Sequence, residues 1–165
     1  LRQLDRRIEE CDARICAHAR TSEAAQRLQQ LSGVGTLTAS AVVATISHAG
    51  DYRNGRQLAA WAGLVPRQHS SGGKSRLGKI TKRGDSYIRG RLTQGARSTL
   101  QAALKRQAPQ RARLQHWSVA LQGRGGYHKT LVAIANKHLR IIWAILTKGE
   151  DYDPNAWKRY QQAST

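Results

Sequence analysis

Acidic residues are scarce in this chain. Ten Asp and Glu stand against 28 Lys and Arg, a formal net charge of +18 over 165 residues. Two-metal phosphoryl chemistry needs several carboxylates converging on the ions. The acids here gather instead as Asp5, Glu9, Glu10 and Asp12 near one end and Glu150, Asp151 and Asp153 near the other. Neither group sits in a pocket-forming context, so no metal site is expected. Cysteine is nearly absent. Cys11 and Cys16 are poorly placed to bridge on one helix, and with six scattered histidines they form no ligand-spaced set, which argues against structural zinc. They read as reduced thiols of a cytoplasmic protein. No uninterrupted run approaches the roughly 18 apolar residues of a membrane span, and the charged first segment is no signal peptide. Methionine is missing altogether. The chain is therefore expected to be part of a longer or processed polypeptide.

What is present is positive charge. Self-repulsion on this scale is usually balanced by a polyanion, with nucleic acid the first expectation and an anionic membrane surface the second. The length fits one ordinary domain. Apolar residues recur at helical rather than alternating spacing, so the predicted class is all-α. Residues 1–30 read as an amphipathic helix with a narrow seam of Leu1, Leu4, Ile8, Cys11 and Ile15, and Thr21 or Ser22 is placed to cap a second segment. A short helix is expected from Gln57 to Ala62. A longer one from Ser86 to Gln107, capped by Gly84-Asp85, carries Ile88, Leu92, Ala96, Thr99, Leu100 and Ala103 on one stripe. Another runs from Arg111 to Gln122, and Gly123-Arg124-Gly125-Gly126 reads as a hinge. Tyr127 to Lys148 is the strongest helical pattern, stopped by Gly149.

Two stretches carry candidate chemistry. In LSGVGTLTASAVVATI, Gly33-Val34-Gly35 makes a tight turn ahead of a helix starting near Thr36 or Thr38. This is the pattern of a helix-hairpin-helix element. Free turn amides and a positive helix end favour a backbone phosphate, so Gly33, Gly35 and Thr36 are candidate contacts. A hairpin used only for packing is the alternative. The second stretch, Trp61 to Arg91, holds Arg67, Lys74, Arg76, Lys79, Lys82, Arg83, Arg89 and Arg91 against Asp85 alone. Within it, His69-Ser70-Ser71-Gly72-Gly73 is a glycine-rich, serine-bearing loop among cations. Such a loop suits a phosphodiester, and it also suits a solvated loop of a basic protein. Gly72-Gly73-Lys74-Ser75 is not a P-loop, because Gln68 stands where that motif needs glycine and no apolar strand precedes it.

Taken together, LSGVGTLTASAVVATI, LAAWAGLVPRQHSSGGKSRLGKITKRGDSYIR and KTLVAIANKHLRIIWAILT resemble the C-terminal transposase domain of the DEDD insertion-sequence transposases related to the Piv DNA invertase. The resemblance covers about residues 28 to 148. It implies a linking coiled-coil helix over 1–27, the transposase domain over 28–149 and a polar tail over 150–165. It implies a serine nucleophile at Ser71, with Ser70 as the register alternative, Ser75 a weaker choice and His69 the one histidine placed to act as base. Arg67, Lys74, Ser75, Arg76, Lys79, Lys82, Arg83 and Arg89 are then nucleic-acid contacts. The family picture adds DNA and an element-encoded guide RNA as partners, a homo-oligomer, no membrane, and a bacterial or archaeal cytoplasmic location. Mg²⁺ belongs to a separate acidic domain, with no cofactor in this segment, so the segment alone is expected to bind nucleic acid but cleave poorly. A non-catalytic helix-hairpin-helix binding module is the competing reading, and an RNA-binding or assembly domain a third.

Overall fold

A computed structural model describes residues 2–68 and 77–154. In chain order the helices are α1 (Arg2–Thr21), α2 (Glu23–Gln29), α3 (Thr36–Thr45), α4 (Gly55–Trp61), α5 (Ser86–Lys105), α6 (Arg113–Gly125) and α7 (Tyr127–Lys148). Between α4 and α5 lies a two-stranded antiparallel ribbon, β1 (Pro66–Gln68) and β2 (Leu77–Ile80). The all-α class holds, with this ribbon as an unpredicted addition.

Helix α7 is the central post. Ile134, Ala135, Leu139 and Ile142 are fully buried along it, and α4, α5 and α6 pack around it. It meets the length and composition of a membrane-crossing segment, but its apolar face is the core of the helical domain. Gly149 ends it in the left-handed conformation, φ 64°. The predicted stripe of α5 is buried at all six positions, Ile88 through Ala103. At its start the Asp85 carboxylate accepts from the Ile88 amide at 2.8 Å. At its end Arg111 Nε donates to the Ala103 and Arg106 carbonyls at 2.8 and 3.1 Å. These bonds satisfy orphan groups at the two helix ends.

The N-terminal segment is broken rather than continuous. Ser22 leaves helical geometry at ψ 109° and its side chain accepts from the Ala25 amide, so Ser22 is the N-cap of α2. The anticipated seam of α1 is not a buried one. Leu4 is 62 % and Ile8 59 % exposed, Ile15 is half-buried, and only Ala19 reaches the core. Leu1 lies outside the described residues, as do Trp157 and Tyr160 of the tail, whereas Tyr152 packs against the core.

The expected hinge at 123–126 is mostly helix. Helix α6 continues through Gly123 and Gly125, and the break is at Gly126 alone, φ 80°. Glycine in a helix interior costs about 1 kcal/mol relative to alanine. That composition reads as a turn, yet α6 continues through it to Gly125.

Candidate nucleic-acid interface

The ribbon stands on a foot built from conformations that few residues tolerate. Gly63 has φ 71° and Gly84 φ 102°, and Lys82 is the one non-glycine with positive φ among the described residues, at 54°. A Cβ at Gly84 would lie 1.7 Å from the Trp61 carbonyl oxygen, and one at Gly63 would lie 2.1 Å from that of Arg83. The chain therefore crosses itself in direct backbone contact, which only glycine permits. Backbone bonds close the crossing: Lys82 N–H donates to Gly63 O at 3.2 Å and Thr81 N–H to Val65 O at 2.9 Å. Arg89 of α5 donates to Ala62 O at 3.1 Å, and Asn136 of α7 donates to Leu64 O at 3.1 Å. Side chains of two helices, α5 and α7, thus hold the foot in place.

Above the foot the strands are almost wholly exposed, and only Ile80 is half-buried. Pro66 pairs with Ile80 and Gln68 with Leu77. The exposed side chains of Arg67, Lys79, Lys82 and Arg83 cluster on and just below the ribbon. Arg67 reaches back to Thr81 O at 3.4 Å. None of Arg67, Lys79, Lys82 or Arg83 forms an ion pair among the described residues. Arg89 is different. It is half-buried and spends its guanidinium on the foot. Nearby, the Arg91 guanidinium lies 5.8 Å from the centre of the exposed Tyr87 ring. His69, Ser70, Ser71, Lys74, Ser75 and Arg76 occupy the stretch between the paired ends Gln68 and Leu77 and lie outside the described residues.

The Gly33-Val34-Gly35 turn divides its roles. Gly33, at φ 86°, is pressed on α5: a Cβ there would meet Gly95 O at 2.2 Å, and one at Gly95 would meet Gly33 O at 2.1 Å. Thr99 Oγ1 donates to Ser32 O at 2.7 Å. Gly33 is thus accounted for by helix packing. Gly35 is exposed with open space around it, and as N-cap of α3 it offers no side-chain acceptor to the first amides. Thr36 Oγ1 donates to Gln29 Oε1 at 2.9 Å. Because Gly33 meets α5 ten residues beyond Asp85, this turn lies about 15 Å along that helix from the ribbon foot. Among the described residues, the two candidate stretches do not come together in one pocket.

Sequence reasoning missed a second basic cluster, Arg56, Lys137 and Arg140, where the start of α4 meets α7. The signal was available in part, since Lys137 and Arg140 share a helix face at a spacing of three. What no periodicity shows is that Gly55 brings Arg56 beside them. Among the described residues, no three His, Cys, Asp or Glu side chains come together to hold a metal ion. His138 is fully buried on α7 with neither ring nitrogen hydrogen-bonded, and burial pushes its pKa down to about 4. It is a neutral core residue.

Residues 25–113 match the model of the transposase IS116/IS110/IS902 family. The chain is 44 % identical over 154 residues to a probable family 20 transposase of Pseudomonas aeruginosa, covering 93 % of this chain and 44 % of that protein. It is 41 % identical over 148 residues to the transposase for insertion sequence element IS1111A of Coxiella burnetii, covering 90 % and 40 %. It is 39 % identical over 142 residues to the transposase for insertion sequence element IS1328 of Yersinia enterocolitica, covering 86 % and 41 %. The chain spans less than half the length of each of these relatives. The match takes in the 33–35 turn, the whole ribbon with its foot, and α5, and on that ground the chain belongs to the IS116/IS110/IS902 transposase family.

Proposed function

We propose that this chain is the serine-bearing, nucleic-acid-holding part of an insertion-sequence transposase, acting on DNA under the direction of a guide RNA. The observation that carries the reading is the ribbon. Within the family-matched segment, a foot closed by backbone hydrogen bonds presents cations, without ion pairs among the described residues, on both sides of the stretch that contains Ser71.

In the proposed step the Ser71 hydroxyl attacks the phosphorus of a DNA phosphodiester. A serine–phosphate ester forms and the bond from phosphorus to the departing sugar oxygen breaks. The serine proton passes to a base, for which His69 is the candidate, and the sugar oxygen takes up a proton to become a free hydroxyl. One phosphoester replaces another, so reversal onto a new strand rejoins DNA without an external energy source. Charge builds on the phosphoryl oxygens during the attack. Arg67, Lys79 and Lys82 flank it from the ribbon, with Lys74 and Arg76 in the same stretch, and cations so placed stabilise that charge. Gly35 and Thr36 offer a separate backbone-phosphate contact at the α3 N-terminus. Mg²⁺ would be held by a separate acidic domain, as the family resemblance implies. Several nucleophiles are needed for strand exchange, which favours a homo-oligomer at work on nucleic acid in the cytoplasm.

The test is an adduct assay with a nicked DNA that stalls rejoining, in a full-length transposase carrying this segment, with its guide RNA. A denaturant-resistant protein–DNA species is expected in wild type and lost in Ser71→Ala. The isolated 165-residue chain is expected to bind DNA and to form little adduct. Intact DNA binding with no adduct in any full-length protein would replace this reading with a non-catalytic helix-hairpin-helix binding module.

A further inference from the structure

A second basic surface lies at the other end of α4 from the ribbon. A groove of about 580 Å³ runs between the start of α4 and the C-terminal half of α7. Gly55 makes it possible. A Cβ at this position would stand 2.8 Å from the Arg140 Cα, so α4 begins in contact with the α7 backbone. Arg56 then emerges beside Arg140, with Lys137 one helical turn away. The wall is fixed by Trp143, whose indole N–H donates to the carbonyls of Ala49 at 3.1 Å and Tyr52 at 2.9 Å.

Among the described residues neither Arg56, Lys137 nor Arg140 forms an ion pair. The Lys137 ammonium lies 4.3 Å from the centre of the Trp117 ring, a half-buried setting for a cation. Its pKa is lowered, first by burial and then by the Arg113 and Arg140 charges. Glu150, Asp151 and Asp153 also line the groove, where the chain leaves α7, and Asp151 is engaged by Arg27 at 3.7 Å and Gln30 at 3.0 Å. Gathering three cations that no described carboxylate pairs with costs energy that an anionic ligand would recover. The acids beyond the end of α7 would repel a polyanion and so favour its entry from the Lys137 side.

We propose that this groove is a second phosphodiester-binding site, in which Arg56, Lys137 and Arg140 hold backbone phosphates of a nucleic-acid strand. The inference rests on the reading that the chain handles nucleic acid. Helix α4 is about 10 Å long, equal to about three base-pair steps. One polymer lying along α4 therefore reaches both the ribbon foot and the groove. Contacts here go to the sugar-phosphate backbone, so they add affinity and register without sequence preference.

The 165-residue chain tests this by fluorescence anisotropy across a salt series, with a short labelled DNA duplex and a labelled single-stranded RNA. The groove variant is Arg56→Gln/Lys137→Gln/Arg140→Gln, and the ribbon variant is Arg67→Gln/Lys79→Gln/Lys82→Gln. If the groove holds duplex DNA, its variant flattens the log–log salt slope by about 2 to 3, at about 0.9 per lost phosphate contact. If the strand is RNA, the slope falls by about 2 on that probe only. Arg56→Gln and Arg140→Gln alone, at exposed side chains, give about one-contact changes and keep the test valid if the triple variant fails to fold. Unchanged slopes on both probes for the groove variants, with the ribbon variant flattened, would overturn the groove and leave the proposed function standing. Failure of the wild-type chain to bind either probe would overturn both.

Discussion

The turn at 33–35 and the foot of the ribbon are both glycine-bearing, both lie beside cations or helix ends, and both look like phosphate holders in sequence. They are built differently. At the turn, one glycine packs and its neighbour is open: Gly33 touches α5 backbone, while nothing stands within 4 Å of a Cβ on Gly35. At the foot, both glycines are consumed by a chain crossing, and the open surface is the pair of strands above it. Gly33, Gly63 and Gly84, all with positive φ, mark where this backbone meets itself. The surface left for a ligand lies next to those glycines.

That contrast can be broken at its strongest point first. Gly84→Ala places a methyl group against the Trp61 carbonyl at a φ of 102°, and strain plus overpacking should cost about 3–5 kcal/mol. Chemical denaturation reads the loss. A variant as stable as wild type would show that the crossing is not fixed. Gly33→Ala, pressed on Gly95 O, should cost a similar amount, whereas a binding-only role for Gly33 predicts weaker DNA binding at unchanged stability.

Turn and foot share a core that acid should loosen. His138 is neutral when folded, with its pKa lowered to about 4 by burial, against about 6.5 in the unfolded chain. Between those values the unfolded state binds more protons, so stability falls as pH drops from about 6.5 towards 4, by on the order of 3 kcal/mol. His138→Leu should remove this part of the acid sensitivity in a melting series across that range. An unchanged pH profile in the variant would place the sensitivity elsewhere. The smallest effect is expected at Gly35. Gly35→Ala enters open space and loses only a favoured cap residue, about 0.5–1 kcal/mol. A large stability loss there would erase the difference between the two glycines of the turn.

Much of the helical frame was legible because its signals are local. The α5 stripe, the Asp85 and Ser22 caps and the full extent of α7 follow from period, capping chemistry and a terminal glycine. The ribbon was not legible. Pro66-Arg67-Gln68 and Leu77 to Lys79 are exposed on both faces, so no alternation marks them, and the pairing depends on φ signs at residues 63, 82 and 84. What covers the α1 seam was not legible for a related reason: period shows that Leu4 and Ile8 share a face but not what packs on it. Of the candidate site, the cations at 67, 79, 82 and 83 were picked from charge density alone, and the structure places them exposed on and below the ribbon. Arg89 was grouped with them, and it also bonds the foot. The groove at Arg56, Lys137 and Arg140 was missed because two distant segments meet there through one glycine.

The central claim is a covalent bond to one serine, and mass spectrometry of the trapped adduct tests it most directly. Trypsin cuts after Arg67 and Lys74, which leaves Ser70 and Ser71 together in the peptide from Gln68 to Lys74 and separates them from Ser75. A nucleotide remnant is expected on this peptide, localised by fragmentation to Ser71. A remnant on Ser70 would keep the mechanism and move the nucleophile by one residue. A remnant on any other peptide, or none in an adduct-competent reaction, would contradict the account.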